Sequence, residues 1–193
     1  MKITTIIGSP RTTGHGAAIA NELLDQLGES ASSASTYELN RLSYRGCQAC
    51  MSCKTTSEVC VAKDDLTPVL NDIRLSDLVI ISAPIFMGEV DAQAKGLFDR
   101  FYSFLGPDFL SNPRSGRIAR AKQLVFILTQ GNPDEQMFSG VLPRQLRIFS
   151  MCGFTKVYPI HVGGAMPMGE AELNDKTKAL IAETAKAIRA NQS

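Results

Sequence analysis

Four of the five cysteines crowd into one segment, GCQACMSCKTTSEVC, in the order Cys47-x2-Cys50-x2-Cys53-x6-Cys60. Thiols this dense suit an iron–sulfur cluster, four sulfurs completing an all-cysteine shell for [4Fe–4S]. Zinc takes the same shell. Free or redox-active thiols and inert structural cysteines are the remaining readings. On a helix, Cys47, Cys50 and Cys53 would share one face; a wrapped loop would converge them as well. Cys152, in FSMCGF, reads as a buried helix-end residue and not as a ligand.

A second group of chemically capable residues is GSPRTTGHG, residues 8–16. Gly8, Gly14 and Gly16 let the backbone bend closely around a bound group. Ser9 and Thr13 offer hydroxyls, and Arg11 offers a planar cation suited to phosphate oxygens. A helix starting here would add free backbone N–H groups and the positive end of its dipole. The alternative is an ordinary solvated turn. The loop has no GK[ST] ending, no G-x-G-x-x-G spacing and no cysteine, and no acidic cluster ends the preceding strand. Those absences argue against a P-loop NTPase, a Rossmann dinucleotide loop, a cysteine phosphatase and a phospho-acceptor domain.

Such loops need a scaffold, and the chain alternates strand-like and helix-like segments. Hydrophobic patterning predicts strands over 2–8, 33–39, 77–85, 122–129 and 155–162. It predicts helices over 14–28, 64–76, 90–105, 135–153 and 170–190, the fourth bent near Pro143. The Ser- and Ala-rich residues 30–35 suit a loop. Five strands, each followed by a helix, imply an α/β fold with a parallel sheet covered on both faces. Ligands of such sheets sit at the carboxyl ends of the strands.

At 193 residues, with 44% apolar and 20% charged residues and a net charge of +1, the chain reads as one domain over 1–193. The charge gives no strong field for nucleic acid or an anionic membrane. Residues 1–7 are too short for a signal-peptide core, and no apolar run reaches the roughly 18 residues of a membrane span. A cytoplasmic protein without nucleic-acid or membrane partners is the expectation. The two histidines, His15 and His161, lie far apart in sequence, which disfavours a histidine metal centre.

GSPR followed by Gly14 resembles the phosphate loop of the NAD(P)H-dependent FMN reductases. APIFMGEVDAQAKGLFDR, residues 83–100, resembles their second signature. The cysteine run makes iron–sulfur flavoproteins the nearest look-alikes. The resemblance covers roughly residues 1–160. It implies a flavodoxin-like three-layer sandwich with a five-stranded parallel sheet in the order 2-1-3-4-5, so that the third strand ends beside the first at the switch point. It also implies an FMN site. Ser9, Arg11, Thr13, Gly14, His15 and Gly16 would take the phosphate; Pro84, Ile85, Phe86, Met87 and Gly88 the isoalloxazine; Thr129, Gln130, Gly131 and Asn132 its pyrimidine side. Ile85 to Met87 read alternatively as core or an oligomer contact, and 129–133 as an ordinary β-to-α turn. Asp99 and Arg100 are expected in structural pairs.

One departure is His15-Gly16, where relatives often carry Asn-Thr, so a hydroxyl expected at position 16 is missing. His15 takes the preceding polar role or is merely an exposed helix-start residue. The activity implied is electron transfer from NAD(P)H through FMN to an acceptor: a quinone, free flavin or redox protein. A [4Fe–4S] cluster on Cys47, Cys50, Cys53 and Cys60 would couple to it. The alternative is a non-enzymatic carrier exchanging electrons with a ferredoxin-like partner; a third is a binding module that has lost the flavin. A homodimer or homotetramer is implied, with residues 101–118 contributing.

Overall fold

Apolar β-branched runs build the centre of the sheet. In the computed structural model, which describes residues 1–28, 33–118, 122–166 and 171–191, β1 (Lys2–Ile7), β3 (Leu78–Phe86) and β5 (Gln123–Thr129) are almost wholly buried. With β2 (Ser33–Glu38) and β6 (Lys156–Val162) they form a parallel sheet in the order β2-β1-β3-β5-β6. This is the order 2-1-3-4-5 expected for the five parallel strands. A sixth, two-residue strand, β4 (Glu89–Val90), folds back antiparallel onto the end of β3.

Because strand side chains alternate, each central strand feeds two cores. Ile3, Ile7, Leu78, Ile80, Val125 and Ile127 face α1 (His15–Leu27) and α6 (Asp175–Ala190). Ile6, Val79, Ile81, Leu124 and Phe126 face α3 (Leu66–Leu75), α4 (Ala92–Arg100) and α5 (Val141–Cys152). On that second face Phe98, Phe126 and Phe149 meet edge-on at centroid distances of 5.1 to 6.1 Å. Such contacts add to burial because the positive ring edge meets a negative ring face.

Several expected boundaries shift. The helix expected over 135–153 starts only at Val141, after turns in which Asp134 and Gln136 accept from Met137 and Ser139. Pro143 therefore falls in the first helical turn, where a missing N–H costs no helical bond. The helix expected over 90–105 ends at Arg100 and continues as a 3-10 turn over Phe101–Phe104. The last helix begins at Asp175, capped by Asn174, whose side chain accepts from the Thr177 N–H at 2.9 Å; residue 170 lies outside the described residues. Of the Ser/Ala stretch 30–35, residues 33–35 belong to β2 and the rest lie outside the described residues. A four-residue helix, α2 (Ser52–Thr55), interrupts the otherwise irregular cysteine segment 47–60.

Candidate functional site

At the carboxyl edge of the sheet, chain crossovers leave β1 and β3 in opposite directions and open a crevice between their loops. Three loops meet there around a cleft of about 400 Å³. The loop after β1 contributes Ser9, Pro10, Arg11, Gly14, His15 and Gly16; the end of β3 contributes Pro84, Ile85 and Phe86; the loop after β5 contributes Thr129, Gln130 and Gly131. Ala165, beyond β6, completes the lining. Pro10 and Ala165 carry no chemistry in their types, and only the adjacency of β6 to β5 would have pointed to the latter.

The end of the cleft beside α1 suits an anion. Gly14 caps α1 without any side-chain bond to the helix start, so first-turn amides point outward uncapped. Ser9 Oγ accepts from the Arg11 N–H at 3.1 Å, closing a tight turn that brings Arg11 to the rim. Beneath this loop lie buried polar atoms without hydrogen-bond partners: His15 Nδ1, Ser82 Oγ and Asp91 Oδ1. Burial pushes the Asp91 carboxyl up to about 6, although the amide of Ala94 donates to its other oxygen.

Two glycines are required here by packing. A Cβ on Gly8 would lie 2.9 Å from Asp91 Oδ1 and from the Ser82 carbonyl, which already accepts the Gly8 N–H at 2.7 Å. A Cβ on Gly16 would lie 2.0 Å from Ser82 Oγ. The room a hydroxyl-bearing residue would need at position 16 is thus filled from β3.

Four residues expected at the cleft lie outside its lining. Thr13 is exposed on the turn. Met87 (φ 51°) and Gly88 (φ 84°) are consecutive left-handed residues joining β3 to β4. Two positive φ values in a row are what a two-residue hairpin turn of type I′ requires, and Gly88 meets that requirement. Asn132 accepts the Asp134 N–H at 2.8 Å and shapes its own loop. Gln130 reaches the cleft but also braces that loop. Its Nε2 donates to the carbonyls of Asn132 (2.9 Å) and Asp134 (2.8 Å), and its Oε1 lies 3.1 Å from His161 Nε2.

Cys47, Cys50, Cys53 and Cys60 border a second, small cavity of about 30 Å³ with Arg100 and Tyr102. Only Cys53 sits on a helix; the rest belong to a wrapped loop, which takes left-handed φ at Ala49 (53°) and Met51 (60°). Non-glycine residues adopt that region only when their surroundings impose it. The Ser52 amide and hydroxyl draw the Cys50 thiol below its usual range. Among the described residues, no three Cys, His, Asp or Glu side chains stand at separations that could hold a metal ion. Cys152 lies apart, fully buried at the end of α5, its thiol pushed up to about 12 by burial.

Arg100 pairs with Asp64 at 2.7 Å, and Lys95 pairs with Asp99 along α4, so both Asp99 and Arg100 stand in ion pairs. Among the described residues, no helix is long and apolar enough to cross a membrane.

The Flavodoxin_2 family model, described as a flavodoxin-like fold, matches residues 1–188. The chain belongs to this family. Among similar proteins, the "Iron-sulfur flavoprotein" of Methanosarcina thermophila is 35% identical over 100 residues, 52% of this chain and 52% of the relative. "Iron-sulfur flavoprotein MJ0731" of Methanocaldococcus jannaschii is 33% identical over 123 residues, 63% and 60% of the two chains. The matched stretches thus span about half to three fifths of these relatives. A solved flavodoxin-like structure, an FMN-dependent NADH-azoreductase from Bacillus anthracis in complex with FMN, superposes with a TM-score of 0.71 at 12% identity, covering 97% of this chain and 99% of that one. An NAD(P)H:quinone oxidoreductase from Methanothermobacter marburgensis superposes with a TM-score of 0.63 at 16% identity, covering 100% and 96%.

Proposed function

We propose that the chain, read as one flavodoxin-like domain over 1–193, binds FMN in the three-loop cleft and passes electrons from NADH or NADPH to an acceptor. One observation carries this reading: the loops after β1, β3 and β5 border a single cleft whose α1 end has uncapped amides and Arg11. The amides at the start of α1, with Ser9 and Arg11, hold the phosphate. Pro84, Ile85 and Phe86 supply an apolar shelf for the ring, and the backbone of Thr129 to Gly131 bounds its other side. The exposed Phe86, on the cleft lining, covers the ring face once a nicotinamide or acceptor docks. Bound FMN supplies the hydride and electron chemistry. The names of the relatives and neighbours, which include FMN-dependent and quinone-directed oxidoreductases, support this reading.

The cysteine cavity suits a [4Fe–4S] cluster by the chemistry of its donors, four soft-sulfur residues bordering one space. Loading requires the loop to draw its sulfurs together. A homodimer or homotetramer is favoured by the exposed Phe86, Met87 and Leu110. Stopped-flow mixing of FMN-loaded protein with NADH or NADPH under anaerobic conditions tests the reductase; rapid bleaching of the flavin absorption is the expected result. Flavin that stays oxidised under either nicotinamide, yet is reduced by ferredoxin, would instead select the electron-carrier reading, which the cysteine cavity favours. Colourless protein that ignores added FMN would leave only a binding module.

A further inference from the structure

Arg100 is the last residue of α4, and its side chain is 1% exposed. A buried guanidinium persists only when its donors are matched. Nε donates to Cys60 Sγ at 3.0 Å. Nη1 donates to Asp64 Oδ2 at 2.7 Å and to the Arg45 carbonyl at 3.0 Å, and Nη2 to the Ala62 carbonyl at 3.3 Å. Arg45 precedes Cys47, while Ala62 and Asp64 follow Cys60, so one planar group ties both ends of the cysteine loop together. On either side of it in sequence, Phe98 and Phe101 pack ring to ring at 5.6 Å in the core and anchor the end of α4. The helix's negative end also favours a cation there.

We propose that Arg100 is a positioning residue for the cysteine site, holding the Cys60 sulfur toward the cavity and making a bound iron–sulfur cluster easier to reduce. This rests on the reading that the four cysteines ligate such a cluster. One-electron reduction, here by dithionite, adds one negative charge to the cluster and its sulfurs. A positive N–H donor on a ligating sulfur stabilises that added charge more than the oxidised state, so the midpoint potential rises. Asp64 neutralises part of the guanidinium charge, but the Nε–H still faces the sulfur. Lysine, a point charge without the planar fork, cannot hold the sulfur, the carboxylate and both carbonyls at once.

The test is an anaerobic dithionite titration of reconstituted protein, followed by electron paramagnetic resonance, on wild type, Arg100→Lys, Arg100→Gln and the double variant Asp64→Asn/Arg100→Gln. The double variant removes both charges together and leaves no unpaired carboxylate, so folding stays readable by circular dichroism. The expected order of midpoint potentials is wild type highest, Arg100→Lys intermediate, and the two Gln-containing variants lowest. The flavin potential should stay unchanged, because Arg100 does not line the other cleft. Folded variants that take up less iron and sulfide also support positioning. Loaded variants whose potentials coincide with wild type overturn the role of Arg100 alone. Wild-type protein that takes up no iron and sulfide overturns the cluster reading and this role with it.

Discussion

The Ser82 hydroxyl occupies the space a side chain on Gly16 would need: its Oγ lies 2.0 Å from the Cβ position, while Ser82 Cβ lies 3.4 Å away. A glycine at the start of α1 and a serine inside an apolar strand therefore form one packing unit beneath the cleft. Gly16→Ala should destabilise the fold by about 1–3 kcal/mol, the usual cost of overpacking, and weaken FMN binding. Adding Ser82→Ala removes the clashing oxygen and leaves a tolerable Cβ–Cβ contact, so the double variant should recover most of the loss. A thermodynamic cycle on thermal unfolding measures this; strictly additive effects would contradict the packing unit.

Arg11 borders the α1 end of the cleft, where the proposed FMN phosphate would sit. Hydrogen bonds to a charged partner contribute about 1.5–3 kcal/mol, so Arg11→Ala should weaken FMN binding by roughly 10- to 100-fold. Arg11→Lys should fall between, because a point charge keeps the attraction but not the two-pronged geometry. Quenching of FMN fluorescence on titration reads both.

Asp91 caps α4 with one oxygen and buries the other without a partner. Its folded-state pKa of about 6, raised by burial, stands above the unfolded value of 3.8. The folded state therefore holds its proton more tightly. This contribution is fully present below about pH 4 and is lost as pH rises through about 6. Asp91→Asn keeps the cap acceptor and removes that slope, so the variant should gain stability relative to wild type as the pH approaches neutrality. Tyr44, whose hydroxyl is pushed up to about 12 by burial and then by Asp91, does not titrate in this window. Unfolding curves at several pH values check the slope; an unchanged slope in Asp91→Asn would point to another group.

Gln130 holds the turn after β5 through two carbonyls. Gln130→Ala should cost about 1–3 kcal/mol by leaving buried groups unpaired. Amide exchange over residues 129–134 should quicken while the strands stay protected, and FMN should bind more weakly because one wall of the cleft loosens.

How much of this was legible in sequence follows from what each segment buries. Uninterrupted apolar runs such as Leu78–Ile81 and Leu124–Leu128 fit central strands covered on both faces, so the strands themselves were accessible, whereas their order came from the family resemblance. The packing of Ser82 against Gly16 joins residues 66 positions apart and could be seen only in three dimensions. The helix at Val141 was read too early because Met137 and Phe138 extend an apolar rhythm, whereas the side chains of Asn132 and Asp134 bond nearby amides and hold turns there. Met87, Ala49 and Met51 take left-handed conformations that only glycine would have signalled. The wrapped course of the cysteine loop was therefore one of two options in sequence. The Arg100 clasp was hidden because its partners lie 36 to 55 positions away.

The central claim is that the three-loop cleft is an FMN site. Titrating FMN into flavin-free wild-type protein and into Arg11→Ala, by isothermal calorimetry in parallel with absorption spectra, tests it most directly. The account predicts saturable binding of one FMN per chain, a perturbed flavin spectrum and at least tenfold weaker binding by Arg11→Ala. Equal affinity in both proteins, or no saturable binding to the wild type, would contradict it.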